Sequence, residues 1–308
     1  MTDPLIKIQD VAFPIFAVPD LNKMKLFLED FGMSLARFEG ETLFMRGFGE
    51  LPVAHKSILG EPAFLGLAVR VGSRDDLQKL ANHFDAQVDT NHGPGGGEVV
   101  VFQDPDGRRI EALFGFANAE ALPVPVRAAD NLALARGRLG LVKRVLPGAA
   151  SVKRFGHAAL KSPDMIRTVD WYKQIFGMLE SDSFFVGEEE NVAGIFLRCD
   201  LGANHTDHHT ILIQAAPKAG LGHCGWEVFD IDDIMLGHDH LRARGFEPYW
   251  GVGRHVLGSQ VFDYWRDPWG NVVEHWTDGD LLDATTPAGN HPIERILGQW
   301  GPMPPADF

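Results

Sequence analysis

The feature that most constrains the fold is an internal repeat that links the two halves of the chain. The stretch VPDLNKMKLFLEDFGM, which ends at Met33, matches SPDMIRTVDWYKQIFGM, which ends at Met178. Later in each half, DPDGRRIEALF, which begins at Asp104, matches DPWGNVVEHW, which begins at Asp267. Chance could produce one such pair, but two pairs in the same order indicate a duplicated unit. The sequence therefore predicts a fold with two similar halves.

Local patterns assign the matched stretches to helices and strands. The first pair has apolar residues at helical spacing, and in its second copy Ser162 can cap the helix and Gly177 can end it. The second pair is an Asp-Pro-X-Gly turn followed by an alternating strand pattern. The Pro- and Gly-rich tail after Asp280 is predicted to be irregular. Together these patterns predict four βαβββ modules, over residues 6–58, 63–115, 152–216 and 221–277, with 117–150 as the connection between halves.

Charge and cysteine content exclude several classes of protein. The formal charge is -14, from 28 Lys and Arg against 42 Asp and Glu, and a surface that acidic repels nucleic acid and anionic lipid. Cys199 and Cys224 are too few for a disulfide framework. The N-terminal stretch lacks the pattern of a secretory leader, and no apolar run approaches the ~18 residues of a membrane span. We expect a soluble, cytoplasmic protein with no nucleic-acid or membrane partner.

Three residues of the second half occupy strand positions suited to a metal ion. His157 lies in RFGHAAL, His223 in GLGHCGWEV and Glu274 in GNVVEHW. Two neutral imidazoles and one carboxylate on one face leave adjacent coordination positions open, as non-heme Fe(II) oxygenases require. The sequence therefore predicts a metal centre formed by these three side chains.

The first half of the repeat offers an internal comparison for this metal centre. Alignment of the repeats places Phe13 opposite His157, Phe64 opposite His223, and Glu111 opposite Glu274. The first half thus keeps the carboxylate but lacks both imidazoles. We expect a domain without a metal site over residues 1–145 and a catalytic domain over residues 146–308.

Four βαβββ modules in two tandem halves resemble the vicinal oxygen chelate superfamily, and the resemblance covers roughly residues 6–280. A single metal site confined to the second half resembles the type I extradiol catechol dioxygenases within it. The resemblance implies an α+β fold with two tandem chelate domains, each an open, curled, mixed β-barrel. It also implies Fe(II) as the cofactor, with Mn(II) as an alternative, held by the three residues above.

Other motifs carry the resemblance into the expected catalytic residues. The segment YWGVGRHVLGSQVFDYWRDPWGN is similar to the family's stretch between its second and third ligands. It places His255 and Tyr264 where the family keeps a His and a Tyr that contact substrate or oxygen. HTDHHTILI places His209 at the family's acid–base histidine. Strand alternation would turn only one of His208 and His209 inward. We favour His209 as the inward residue and expect His208 to be solvated. His291 is expected to lie on the surface.

The resemblance implies an extradiol dioxygenase that cleaves the ring of a substituted catechol with O2. Edge strands on two half-barrels also favour a homo-oligomer. Apolar residues expected to line the site suggest a hydrophobic substituent: Phe184, Phe185 and Ile195. The substituent pattern, the ring bond that is cleaved and the choice of metal remain open.

Two other functions are compatible with parts of the sequence. The first is another chelate-type metalloenzyme, an isomerase or a lyase, which usually draws metal ligands from both halves. The second is a small-molecule-binding resistance protein, which lacks a metal triad and is typically a single two-module chain. Neither alternative accounts for His209, His255 and Tyr264 together.

Overall fold

The computed structural model describes residues 3–124 and 126–306. It contains two large mixed sheets, and each sheet takes all of its strands from one half of the chain. Each half consists of two βαβββ modules, so the four modules predicted from the repeat are confirmed. No helix within the described residues is long and apolar enough to cross a membrane.

The first half forms an eight-stranded sheet in the order β2-β3-β4-β1-β5-β8-β7-β6. Its two modules meet where β1 pairs antiparallel with β5. The elements are β1 Ile8–Val18, α1 Leu21–Asp30, β2 Ser34–Glu39, β3 Thr42–Arg46, β4 His55–Leu59, β5 Ala63–Val71, α2 Arg74–His83, β6 Asp89–Thr90, β7 Glu98–Gln103 and β8 Arg109–Phe114.

The second half forms a nine-stranded sheet in the order β15-β16-β17-β14-β9-β13-β11-β10-β19. Its modules meet where β9 pairs antiparallel with β14. Its module elements are β9 Val152–Ser162, α3 Met165–Phe176, β10 Leu179–Phe185, β11 Val192–Arg198, β12 Thr206–Asp207, β13 Ile211–Ala215, β14 Gly220–Val228, α4 Ile231–Ala243, β15 Gly251–Arg254, β16 Val261–Arg266 and β17 Val272–Thr277.

The tail is more regular than its composition predicts, so the expectation of an irregular tail is wrong. It forms β18 Leu281–Leu282, β19 Gly289–Pro292 and a short 3-10 helix at Ile293–Arg295. Strand β19 extends the second sheet because it pairs in parallel with β10. A free sheet edge offers unpaired backbone groups to any segment that can lie along it, whatever the composition of that segment.

The matched helices begin and end through local capping. In α1 and α3 the side chains of Asp20 and Asp164 accept a hydrogen bond from the backbone N–H three residues later. The cap of α3 is therefore Asp164 and not Ser162, whose hydroxyl instead accepts from the backbone N–H of Asp164. Gly177 ends α3 in the left-handed conformation with φ 65°, as predicted.

Strand pairing corrects one position in the alignment of the two halves. Phe13 and His157 are both the sixth residue of an eleven-residue strand, so they are equivalent. However, Ala159 pairs with His223, and its counterpart Ile15 pairs with Gly66. The counterpart of His223 is therefore Gly66, and the assignment of Phe64 is wrong.

The error is a slip of two residues, which arose from matching the glycine of AFLGLAV to the glycine of GHCGWEV. Such a slip leaves every side chain on its own face of the sheet, so alternation could not reveal it. The conclusion drawn from the alignment still holds, because neither Phe13 nor Gly66 can bind a metal through its side chain.

The two halves share one continuous apolar core. The indole of Trp226 on β14 is fully buried and donates a hydrogen bond to the carbonyl of Ala54, at 2.8 Å, in the first half. His275 on β17 stacks on Phe31 with ring centroids 3.7 Å apart, and its Nε2 lies 2.7 Å from the Phe31 carbonyl. These contacts hold the second sheet, which carries the predicted site, against the first.

Candidate metal centre and active site

The three predicted metal ligands come together on three adjacent strands, β9, β14 and β17. Nε2 of His157 lies 3.1 Å from Nε2 of His223 and 2.8 Å from Oε2 of Glu274. The His223 Nε2 to Glu274 Oε2 distance is 3.5 Å. Metal–ligand bonds of about 2.0–2.2 Å at right angles separate donor atoms by about 3 Å, so this spacing suits one ion with the three ligands on one face.

The protonation states also suit a cation. Burial raises the pKa of Glu274, but the nearby His157, His255 and His223 together outweigh burial and bring that pKa below its usual value. Burial lowers the pKa of His223 to about 3 despite the nearby Glu274. Neither buried oxygen of Glu274 makes a well-formed hydrogen bond. An ionised carboxylate beside a neutral imidazole is the donor set that a divalent metal requires.

A glycine on the central strand makes room for these ligands, which sequence reasoning did not detect. Gly225 on β14 pairs with His157 on one side and with Glu274 on the other. A Cβ atom there would lie 2.4 Å from Cε1 of His157 and 2.8 Å from Oε2 of Glu274. At the equivalent position of the first half, Ala68 pairs with Phe13 and Glu111.

His209 lies at the wall of the same cavity, next to the metal ligands. Its ring centroid is 4.5 Å from that of His157, and its Nδ1 is 3.0 Å from Nδ1 of His208. Burial lowers the pKa of His209 well below its usual value, and the charges of His157 and His208 reinforce the effect. His209 is therefore a neutral imidazole, which can accept a proton.

His208 does not lie where the sequence predicts, whereas His291 is partly exposed, as expected. His208 is only 3% exposed, and its Nε2 is 2.8 Å from Oδ2 of Asp182. His291 is half-buried and bonds the other oxygen of the same carboxylate at 3.0 Å. Strand alternation failed here because His208 and His209 fall between β12 and β13, in irregular backbone.

His255 and Tyr264 form a hydrogen-bonded pair on the other side of the cavity. Tyr264 on β16 stands directly opposite Glu274 on β17, and its hydroxyl is 2.9 Å from Nε2 of His255. Trp250 stacks on the Tyr264 ring with centroids 5.3 Å apart. Burial and the Glu274 charge raise the pKa of Tyr264 well above its usual value, so its hydroxyl stays protonated and can donate.

The cavity that these residues enclose has a volume of about 200 Å³ and largely apolar walls. Phe184 lines it as expected, whereas Phe185 and Ile195 do not. Part of the wall comes from the tail, for which the sequence predicts only irregular structure and no role in the site. The tail residues at the cavity are Ile293, Ile296, Leu297, Pro304 and Pro305.

Comparison with known proteins identifies the wider family. Residues 154–275 match the model of the Glyoxalase/Bleomycin resistance protein/Dioxygenase superfamily. The chain is 31% identical to Metapyrocatechase 2 of Cupriavidus necator, over 94% of this chain and 88% of that protein. It is 24% identical to the Iron-dependent extradiol dioxygenase of Rhodococcus jostii (strain RHA1), over 86% of this chain and 80% of that protein.

A solved structure agrees with these matches at the level of the fold. Homoprotocatechuate 2,3-dioxygenase from Brevibacterium fuscum, in complex with 3,4-dihydroxyphenylacetate, superposes with a TM-score of 0.79 at 19% identity. The superposition covers 99% of this chain and 93% of the other, so both tandem half-barrels are shared. Since the 31% identity to Metapyrocatechase 2 extends over most of both sequences, the chain belongs to the extradiol ring-cleavage dioxygenases of this superfamily.

Proposed function

We propose that this enzyme cleaves the ring of a substituted catechol with O2, at Fe(II) held by His157, His223 and Glu274. The observation that carries the proposal is that His157, His223, His209 and the His255–Tyr264 pair line one cavity, and that the buried Glu274 carboxylate lies within metal-binding distance of the two histidine ligands. The names of the relatives, a metapyrocatechase and an iron-dependent extradiol dioxygenase, support the same reaction.

The charge of the ligand set suits a catechol as the substrate. One carboxylate and two neutral imidazoles leave a net positive charge on a bound divalent ion, which favours a deprotonated diol. When bound, the ion supplies the place where both catechol oxygens and O2 come together. Nitrogen and oxygen donors accept both Fe(II) and Mn(II), so Mn(II) is the alternative metal.

The surrounding residues divide the proton chemistry between them. His209 is neutral and beside the ligands, so we assign it the proton of a substrate hydroxyl. Tyr264 is protonated and can donate a hydrogen bond to a catecholate oxygen. His255 holds the Tyr264 hydroxyl and lies 3.7 Å from Oε1 of Glu274, at the edge of the metal position.

The apolar walls indicate the kind of substituent. Phe184, Phe196 and Leu212 form one side, and the tail residues described above form another. Removal of such surfaces from water favours an apolar ring substituent by roughly 25 cal/mol per Å² buried. We therefore propose catechols with an apolar substituent as the substrate class.

The alternatives are less well supported by the site. All three ligand positions lie in the second half, whereas an isomerase or lyase of this fold would share ligands between halves. A resistance protein that only binds a small molecule would need neither the ligand triad nor the proton-handling residues beside it.

The proposal is tested by anaerobic loading of the purified chain with Fe(II), followed by a panel of catechols under oxygen. We expect one metal per chain, oxygen uptake, and a yellow ring-opened product, with faster turnover for apolar substituents. His223→Ala should lose both the metal and the product. Oxygen-independent conversion of a substrate would favour the isomerase or lyase, and binding without turnover would favour the resistance protein.

We also propose a cytoplasmic homo-oligomer. Several large apolar side chains on the connection between the halves are exposed, and exposed apolar side chains favour association. They are Leu132, Leu134, Leu139, Leu141 and Leu146. Cys199 and Cys224 are free and buried, which suits a reducing compartment. Light scattering during size-exclusion chromatography tests the oligomer, and a single-chain mass near 34 kDa would contradict it.

A further inference from the structure

A continuous row of hydrogen-bonding groups leads from His209 to the protein surface. Nδ1 of His209 is 3.0 Å from Nδ1 of His208, and Nε2 of His208 is 2.8 Å from Oδ2 of Asp182. Oδ1 of the same carboxylate is 3.0 Å from Nε2 of His291, whose side chain is 39% exposed. The row therefore begins in the cavity and ends in solvent.

The chemistry of these groups allows only one arrangement of protons when the histidines are neutral. A carboxylate only accepts, so Nε2 of His208 must carry a hydrogen and donate it to Asp182. Nδ1 of His208 then has a lone pair, and the facing Nδ1 of His209 must donate to it. A neutral imidazole has a single N–H, so Nε2 of His209 is left unprotonated.

We infer that Asp182 is a positioning residue that, through His208, fixes His209 in the tautomer whose Nε2 can accept the substrate proton. This inference rests on the proposed function, because it specifies how the acid–base histidine of ring cleavage is prepared. Asp182 and His208 touch neither the ligand triad nor the cavity wall. They act only through His209.

The same row can carry the accepted proton away. When Nε2 of His209 takes a proton, the hydrogen on Nδ1 can pass to Nδ1 of His208. The hydrogen on Nε2 of His208 then passes to Asp182. When the exposed ring of His291 carries its hydrogen on Nδ1, its unprotonated Nε2 can take this proton from Asp182, and the Nδ1 hydrogen leaves to solvent. One proton enters and one leaves, and the reverse sequence restores the first tautomer. The proton is therefore released to solvent at His291.

The backbone holds Asp182 in place for this task. Asp182 on β10 pairs with Gly289 on β19, and the backbone N–H of Gly289 donates to Oδ1 of Asp182 at 3.0 Å. The hydrogen bonds from His208 and His291 keep the pKa of Asp182 below its usual value, although burial opposes them. The tail strand thus serves the site by fixing a carboxylate of the neighbouring strand.

Asp182→Asn is the most direct test. The amide has the same shape as the carboxylate, but it reverses the direction of the hydrogen bonds that link residue 182, His208 and His209. The Gly289 N–H requires an oxygen on its side, so the new amide must turn its NH2 toward His208. His208 would then accept at Nε2 and donate from Nδ1, which moves the hydrogen of His209 to Nε2. In this variant Nε2 of His209 should therefore carry a hydrogen and be unable to accept the substrate proton, although every side chain of the cavity is still present.

The tautomers can be measured without turnover. In the Zn(II)-loaded chain with ¹⁵N-labelled histidine, two-bond ¹H–¹⁵N spectra distinguish Nδ1–H from Nε2–H rings, and His208→Gln and His209→Gln assign the two signals. We expect Nδ1–H for His209 in the unaltered chain and Nε2–H in Asp182→Asn. Asp170→Asn, an exposed change on α3, should leave both signals unchanged.

Kinetics of the Fe(II)-loaded enzyme supply the second measurement. Asp182→Asn should lower kcat by roughly 10²–10⁴-fold, the usual worth of acid–base catalysis, with unchanged metal content and little change in KM. His291→Gln should lower kcat less, raise the solvent isotope effect, and recover on addition of imidazole buffer as a proton carrier. A purely structural role would not respond to buffer.

An Nε2–H tautomer for His209 in the unaltered chain would overturn the inference. Unchanged kcat in Asp182→Asn together with an unchanged His209 signal would also overturn it. If the unaltered chain cleaves no catechol, the proposed function fails, whereas the tautomer measurement still decides the role of Asp182.

Discussion

Lys56 and Glu111 form a bidentate ion pair in the first half, with Nζ 2.8 and 3.0 Å from the two carboxylate oxygens. Glu111 is the counterpart of Glu274, the proposed metal ligand, because Ala68 pairs with Glu111 as Gly225 pairs with Glu274. The ammonium group therefore supplies, in the first half, the positive charge that a metal would supply in the second. Both halves thus have a buried carboxylate at this position, which faces the Lys56 ammonium group in the first half and the candidate metal position in the second.

This relationship predicts a specific coupling between the two residues. Lys56→Met leaves Glu111 with Arg109 as its ion-pair partner, at 2.7 Å, and should lower the free energy of unfolding by about 1–3 kcal/mol. Glu111→Gln in the same chain should restore most of the loss, because no buried charge then remains without its partner, and the Arg109 side chain is 44% exposed. Chemical denaturation of both variants measures the effect. Equal instability of the single and double variants would contradict the coupling.

Gly225→Ala should impair metal binding because the new methyl group would overlap His157 and Glu274. Changes beside metal ligands commonly reduce affinity by roughly 10–100-fold, and we expect a loss of at least that size. Metal titration with a competing chelator measures it. Ala68→Gly is the matched control at the equivalent position of the first half, and it should leave metal affinity unchanged.

His209→Gln should retain the metal and slow ring cleavage by roughly 10²–10⁴-fold, because it removes the proton acceptor beside the ligands. Single-turnover kinetics with oxygen and a bound catechol, together with iron analysis, measure both quantities. A loss larger in His208→Gln than in His209→Gln would show that His208 is the acid–base group.

Tyr264→Phe should weaken catalysis by about 10- to 150-fold, because a hydrogen bond to a charged group contributes roughly 1.5–3 kcal/mol. Iron content and thermal stability should stay close to those of the unaltered enzyme. The ring-opened product should also be unchanged, since the ligand triad and not the phenol determines where oxygen binds. Turnover equal to that of the unaltered enzyme would remove Tyr264 from the mechanism.

His55 should make the metal-free protein sensitive to acid. Burial lowers its pKa from 6.5 to about 3, and the ring stacks on Phe16 with centroids 5.2 Å apart. Because the folded pKa is the lower one, the stability from His55 is present above pH 6.5 and is lost as pH falls toward 3. Between these values each pH unit costs about 1.4 kcal/mol.

His55→Gln can keep a hydrogen bond to Ser57 without titrating. The difference in the free energy of unfolding between the unaltered chain and this variant should therefore shrink as pH falls from 6.5 to 4. Urea denaturation at a series of pH values measures the difference, in which other groups such as Asp10 cancel. A difference that stays constant with pH would show that His55 is protonated in the folded chain or that it is not buried there.

The sequence by itself determined the repeat, the four modules and the three residues of the candidate metal centre. Helical spacing, Asp-Pro-X-Gly turns and strand alternation are local properties, so they can be recognised from neighbouring residues alone. His157, His223 and Glu274 could be chosen because each lies on a regular strand whose inward face is predictable. The three side chains meet because the strands that carry them, β9, β14 and β17, are neighbours in the sheet that the two modules form.

Only the tertiary structure decided the strand register and the environment of irregular segments. Gly66 replaced Phe64 as the counterpart of His223 because a slip of two residues is invisible to alternation. His208 is buried because its loop is covered from outside by residues distant in the sequence, and its contact with Asp182 spans 26 positions. The Asp182–His291 contact spans 109 positions in the sequence. It depends on β19, a tail segment that is a strand because it pairs with the edge strand β10.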